Sequence, residues 1–239
     1  TTQSNHGLIR YLLRNRHTTP FEMVELKFRC KMPILVARQW VRHRTASINE
    51  MSARYSELPA EFYVPEIEDL KIQATKNKQG RDDGLVEDTG HHQELFREEA
   101  SESFRHYRNR LDDGMAREIA RNNLPLSTYT MWVWKIDLHN LFHFLSLRSH
   151  PHAQMEIRVY AEAMCRMIQP IVPLAYEAFE DYRLHGAFLT RQDQLAIQHI
   201  LSNHDQQFDA DGAGVSSLFP TGREYTEFKD KWEKILEMK

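Results

Sequence analysis

Two stretches of the chain alternate apolar and polar residues with a period of two. Val24, Leu26, Phe28, Cys30 and Met32 alternate with Glu25, Lys27, Arg29 and Lys31. Thr128, Thr130, Trp132, Trp134, Ile136 and Leu138 alternate with Tyr129, Met131, Val133, Lys135 and Asp137. Successive side chains of a strand point to opposite faces, so each run predicts a long, half-buried strand. Most of the rest carries a helical period. Leu8 to Leu13 predicts a short helix ended before Pro20. Ile34 to Val41 predicts another, entered through Pro33. Further helices are expected over 91–112, 115–123, 139–148, 153–169 and 171–183, with a break at Gly186. The tail predicts a helix near 191–203, a glycine-rich turn at 211–214 and a last helix from Arg223. Glu61 to Val64 reads as a short strand, and 42–56 as an ordered loop without clean periodicity. Residues 66–90, polar and carrying Gly80, Gly84 and Gly90, read as a surface insertion.

These elements predict an α+β fold: an antiparallel sheet of a few long strands packed with many helices, without βαβ alternation. No GxGxxG motif follows a strand and no Walker A motif is present, so a nucleotide would be held by a non-Rossmann route. The expected organisation is a core over 1–183, interrupted at about 66–90, with 184–239 as a helical C-terminal extension of the same domain.

Composition narrows the function. The formal net charge of -3 argues against a protein that coats nucleic acid, because such proteins carry excess positive charge. No run approaches the apolar length of a membrane helix and no signal-peptide pattern opens the chain, so no membrane partner is expected. The two cysteines, Cys30 and Cys165, form no CxxC pair, and the composition reads as that of a reduced, cytoplasmic protein. Both cysteines fall on apolar faces and read as core, as do Trp132 and Trp134. His139 and His143 stand four apart on a predicted helix, a spacing that can ligate zinc, but no HExxH accompanies them and no metal is expected.

The densest chemistry lies in Arg42-His43-Arg44-Thr45-Ala46-Ser47-Ile48-Asn49-Glu50-Met51-Ser52-Ala53-Arg54-Tyr55. Guanidinium forks match phosphate oxygens bidentately and stay charged at any working pH, so such a cluster suits a ligand with several phosphates. A nucleic-acid-binding module and a solvated charged loop are the competing readings of an arginine-rich loop. No serine of this run has a recognisable base and orienting group, so a serine nucleophile is not indicated.

The string matches R-H-R-x-x-S-x-N-E-x-S-x-R-Y and resembles the motif of flavin-dependent thymidylate synthases, with every specified position present. Three further segments resemble the same family: His17-Thr18-Thr19-Pro20-Phe21-Glu22, then Ala37-Arg38-Gln39-Trp40, then Leu147-Arg148 with His152-Ala153-Gln154-Met155-Glu156-Ile157-Arg158. The resemblance spans about residues 7 to 180. It implies reductive methylation of dUMP to dTMP, with methylenetetrahydrofolate as carbon donor, FAD as cofactor and NADPH as reductant. It also implies a homotetramer whose sites are built by several subunits. Carried over by position, Gln39, Arg42, Glu50, Met51, Ser52, Ala53, Arg54 and Arg158 would hold dUMP. His17, Thr19, Glu22, Arg42, His43, Arg44, Asn49, Glu50, Arg148 and His152 would face the flavin. Arg158 would favour ionisation at N3 of the uracil, which raises the nucleophilicity of C5 without an enzyme nucleophile.

There are departures. Ser146 stands where many members have Asn, Met23 where His is common, and Met131 about where some members place a further dUMP-binding Arg, for which Lys135 or another subunit would substitute. A family segment with a flavin-contacting serine has no clear match, so the chain is expected to be short at its N-terminus. The reading as a whole requires the guanidiniums of Arg42 to Arg54, with Arg158, to converge in the assembled molecule.

Overall fold

The alternating run at Glu25–Pro33 forms strand β1, and Tyr129–Asp137 forms β5, paired antiparallel to it over their full lengths. The register places Leu26 opposite Ile136, Phe28 opposite Trp134 and Cys30 opposite Trp132, so both apolar rows share one face. These facts come from a computed structural model, which describes residues 2–75, 80–187, 189–192, 194–195, 197, 219, 222 and 224–229.

Helices cover the apolar face. They are α3 (Ile34–Trp40), α6 (Leu138–Arg148) and α7 (Met155–Ile168). Trp40, Trp132, Trp134 and Phe144 are almost wholly buried there. Trp40 stacks on Phe144 with centroids 4.9 Å apart and meets Trp134 edge-on at 5.1 Å. Such offset and edge-to-face geometries add to the large apolar area these rings remove from water. Cys30 and Cys165 are buried, as the sequence predicts. Asp137 ends β5 and caps α6, its carboxylate accepting from the Asn140 amide at 2.9 Å.

Three expectations need correction. Ser47–Glu50, read as part of a loop, is strand β2, which pairs antiparallel with β5 and gives the sheet order β1-β5-β2. Its four residues are all exposed, so no apolar alternation announced it. The segment read as a surface insertion contains a hairpin, β3 (Lys71–Gln73) with β4 (Arg81–Leu85), preceded by a 3₁₀ turn at Ile67–Asp69. Glu61 to Val64 makes a single bridge, Phe62 to Thr128, rather than a strand.

The remaining elements sit close to where periodicity put them. One turn is an addition that the sequence did not predict: α2, Thr19–Glu22, packed on α6. α4 (Thr89–Asp112) buries Ala100, and buries Phe104 and Tyr107 in a small cluster with Ala120, against which Leu58 and Phe62 pack. It ends at Gly114, whose φ of 82° allows the Met115 amide to reach the Arg110 carbonyl at 2.9 Å. The predicted 115–123 helix is a short α5 (Arg117–Ala120) continued as a 3₁₀ turn through Asn123.

The chain divides into two compact units, one of residues 17–173 and the other of 1–16 with 174–239. The second contains α1 (Thr2–Arg14) and α8 (Pro173–Phe179) from Leu174 onward, which continues as a π-helical turn over Glu180–Leu184. Gly186 follows this turn closely: a Cβ there would meet the Tyr182 carbonyl oxygen at 2.8 Å. Within the same unit Arg10, only 1% exposed, is held by Glu177, Asp181 and Glu224. Residues 224–229 are helical, as predicted for the last helix. The predicted turn at 211–214 and most of the 191–203 helix lie outside the described residues. Among the described residues no helix is long and apolar enough to cross a membrane.

Candidate active site

A cleft of about 750 Å³ opens in the 17–173 unit. One side is built from residues the sequence singled out. Gln39 projects from α3, Arg148 ends α6, His152 lies in the following turn, and Arg158 sits in the first turns of α7. The other side is the hairpin, through Lys71, Gln73, Arg81 and Asp83, with Asp69 before it.

The polar groups along the first side are partly free. Oε1 of Gln39 is buried without a hydrogen-bond partner among the described residues. A buried amide oxygen without a partner is costly, so it marks a place where a ligand donor would be stabilised. Arg158 donates from Nη1 to the Pro151 carbonyl at 2.9 Å and lies 3.6 Å from Glu162. His152 is exposed, its amide donating to His150 Nδ1 at 3.2 Å.

His43 enters through Arg148, whose Nε donates to His43 Nε2 at 3.0 Å. Burial, then the charges of Arg148 and His143, push the His43 ring down to about 4. It is therefore neutral at pH 7. Its ring packs edge-on against Phe144 at 4.9 Å, which fixes its plane. Burial also lowers the Arg148 guanidinium from its usual value.

The rest of the arginine-rich run does not line this cleft within one chain. Its course is set by β2, which leads from α3 to the edge of the sheet. Arg42 and Arg44 are exposed and have no carboxylate partner among the described residues. Asn49 lies on the exposed side of β2, opposite Val133. Glu50 accepts from Thr130 Oγ1 at 2.6 Å, and the Met51 amide donates to the Met131 carbonyl at 2.9 Å. Ser52 Oγ accepts from the Arg54 amide at 3.3 Å, with Ala53 between them in the turn. The Arg54 guanidinium is paired with Glu118 at 3.0 Å. His17, Thr19 and Glu22 lie on and just before α2, away from the cleft lining. A single chain thus gathers Gln39, Arg148, His152 and Arg158, with His43 behind them, and leaves Arg42, Arg44 and Arg54 outside.

Met131 and Lys135 sit on the face of β5 opposite the tryptophans. Lys135 is paired with Glu25 at 2.7 Å. Sequence reasoning missed Arg81, Lys71 and Asp69, because a polar, glycine-bearing stretch gives no periodic signal that it folds back on a helix. It also missed Glu156 and Tyr63. Glu156 is only 7% exposed, accepts from Tyr63 Oη at 3.2 Å and forms an ion pair with Arg81.

The family model of thymidylate synthase complementing protein matches residues 1–174. A flavin-dependent thymidylate synthase of Ruegeria pomeroyi is 47% identical over 96% of this chain and 76% of its own length. One from Gluconobacter oxydans is 55% identical and one from Dictyostelium discoideum 52% identical, each over 80% of this chain. The chain spans 64% and 63% of the lengths of those two. Among solved structures, the UMP/dUMP methylase PolB from Streptomyces cacaoi bound with 5-Br dUMP superposes with a TM-score of 0.71 at 37% identity, over 78% of this chain and 83% of PolB. With its motif intact, its sheet and helices shared with a solved methylase, and the family model matched over most of its length, the chain belongs to the flavin-dependent thymidylate synthases.

Proposed function

We propose that this protein methylates dUMP to dTMP, taking the carbon from methylenetetrahydrofolate and reducing equivalents from NADPH. The observation that carries this reading is the meeting of Gln39 with Arg148, His152 and Arg158 in one cleft from two separate segments of the motif set. The relatives' printed names and the brominated nucleotide bound to PolB support it.

The residues fit the nucleotide. The free amide oxygen of Gln39 suits an imide or amino donor, and the guanidinium of Arg158 suits an oxygen that gains negative charge. A fixed cation beside the pyrimidine stabilises the ionised ring and makes C5 the nucleophile. Neither cysteine lines the cleft: Cys30 and Cys165 are buried, and burial pushes the Cys30 thiol up to about 11.

The residues also fit a flavin. Arg42 and Arg44 are exposed cations without carboxylate partners among the described residues, a donor set suited to a pyrophosphate. His17, Thr19, Glu22, Arg42, His43, Arg44, Asn49, Glu50, Arg148 and His152 are the residues that would hold it. When bound, FAD supplies the redox chemistry that reduces the transferred carbon to a methyl group. Neutral His43 holds Arg148 from behind, so the cleft wall presents one oriented cation. Met51, Ser52, Ala53 and Arg54, on the far edge of the sheet, would contribute nucleotide contacts, with Glu50 as an acceptor for a base N–H, to a site completed by other subunits of a homotetramer. The separation of Arg42, Arg44 and Arg54 from Arg158 within one chain supports such sharing.

The test is direct. The purified protein should carry a flavin visible spectrum and release tritium from C5-labelled dUMP only when both folate and reductant are supplied. A colourless protein that takes up no flavin would sink the reading. Light scattering should give the mass of a tetramer, and a protein active as a monomer would remove the subunit-sharing part.

A further inference from the structure

The β3–β4 hairpin forms the wall of the cleft that faces Gln39, Arg148 and Arg158. It makes the wall through one side chain with two anchors. Arg81 Nη1 donates to the Asp69 carbonyl at 3.1 Å, at the end of the 3₁₀ turn, while Nη2 reaches Glu156 in the first turn of α7. Glu156 is buried between Gln154 and Arg158 in sequence, and both of these line the cleft.

We propose that Arg81 is a positioning residue of the active site, clamping the hairpin onto the start of α7 through Glu156 and so completing the nucleotide-binding cleft. This rests on reading the cleft as the nucleotide site. The planar fork is suited to the task because it spans two acceptors with a fixed angle between them, which an ammonium does not. Tyr63 from the preceding loop, Arg81 from the hairpin and Gln154 at the head of its own helix reach Glu156, and Asp69 lies 3.7 Å from Arg81 and acts on Tyr63. Arg81 is the cation among them. Burial would raise the Glu156 carboxyl, and hydrogen bonds from its own backbone and from Arg81 hold it below the usual range. Without Arg81, Glu156 and Asp69 would face each other near Tyr63 with no countercharge, and the hairpin would lose its anchor. The wall also brings Lys71, so its loss removes a second cation from the cleft rim.

The variant Arg81→Gln should weaken dUMP binding on the order of 10-fold or more, the range for a lost charge-assisted hydrogen bond. The effect should fall on KM for dUMP rather than on kcat, with flavin content near that of the wild type, while the melting temperature drops because Glu156 is left buried without its cation. Arg81→Lys should restore binding only in part. In Arg81→Gln the buried Glu156 lacks its cation, so its carboxyl rises. Nucleotide affinity should then fall as pH rises through that raised value, and the double variant Arg81→Gln/Glu156→Gln should lose this dependence. Amide hydrogen exchange supplies a reading independent of the substrate: peptides covering 71–75 and 80–85 should exchange faster in Arg81→Gln. Wild-type affinity together with wild-type exchange would overturn the proposal. So would a loss of activity that tracks loss of flavin with KM for dUMP unchanged, which marks a merely structural role. A wild-type protein that fails to bind dUMP defeats the functional reading, while the exchange measurement still decides the clamp.

Discussion

Arg148 donates from Nε to Nε2 of His43 across 3.0 Å, which makes the imidazole an acceptor and places its remaining proton on Nδ1. A wall of the cleft therefore presents a guanidinium whose orientation depends on a neutral histidine behind it. The pair joins the end of α6 to the segment just after α3, so the sheet and both helices set its geometry.

His43 should titrate far below an ordinary histidine. Its ring is pushed down to about 4, first by burial and then by Arg148 and His143. An unfolded histidine titrates at about 6.5, so between these values the unfolded chain binds more protons. Stability from this group is therefore complete above about 6.5 and lost as pH falls toward about 4. NMR titration of the ring checks the midpoint. In Arg148→Gln it should rise, while staying below the unfolded value because burial persists. A wild-type midpoint at the unfolded value would refute the assignment.

Arg54 is held by Glu118 at 3.0 Å, with both side chains about half exposed. If Arg54 binds the nucleotide phosphate, Glu118 competes with it. Glu118→Gln should then lower KM for dUMP by at most about 5-fold, since an exposed pair contributes roughly 0–1 kcal/mol. The gain should vanish at high salt, where screening has already weakened the competitor. An unchanged KM at low salt would separate Arg54 from phosphate binding.

Arg10 carries three carboxylates in the unit formed by residues 1–16 and 174–239. Arg10→Met should destabilise that unit by about 1.5–3 kcal/mol, the range for lost hydrogen bonds to charged groups, because Glu224 stays buried with Arg14, at 3.3 Å, as its remaining cation. Burial alone would raise the Glu224 carboxyl, and Arg10 with Tyr182 brings it below its usual value. Its contribution is thus present above the usual carboxylate range and lost as pH falls through the depressed value. Calorimetry from pH 7 downward should show that loss in the wild type and a flatter curve in Arg10→Met.

Asp137 caps α6, the helix that delivers Arg148. Asp137→Ala should cost about 1 kcal/mol, as loss of an N-cap does. Urea denaturation measures it. A cost near zero would mean that packing of Leu141, Phe144 and Leu145 alone holds the helix.

The amino-acid sequence by itself determined the two long strands, the main helices and the family. Period-two runs such as Leu26 to Met32 and Thr130 to Ile136 permit only one burial pattern on a sheet with one covered face, and the Arg42 to Tyr55 motif is specific in both residue type and spacing. Tertiary structure alone decided where that motif's side chains go. β2 is four exposed residues, and only hydrogen bonds to β5 make it a strand, which draws Glu50 and Arg54 away from the cleft that Arg158 lines. The hairpin at 71–85 has no apolar period, and its place as a cleft wall depends on Arg81 meeting Glu156, 75 residues away in the chain. Local patterning records which face an element buries. It carries no record of which distant charge a solvated side chain will meet, because that pairing exists only once the chain has folded.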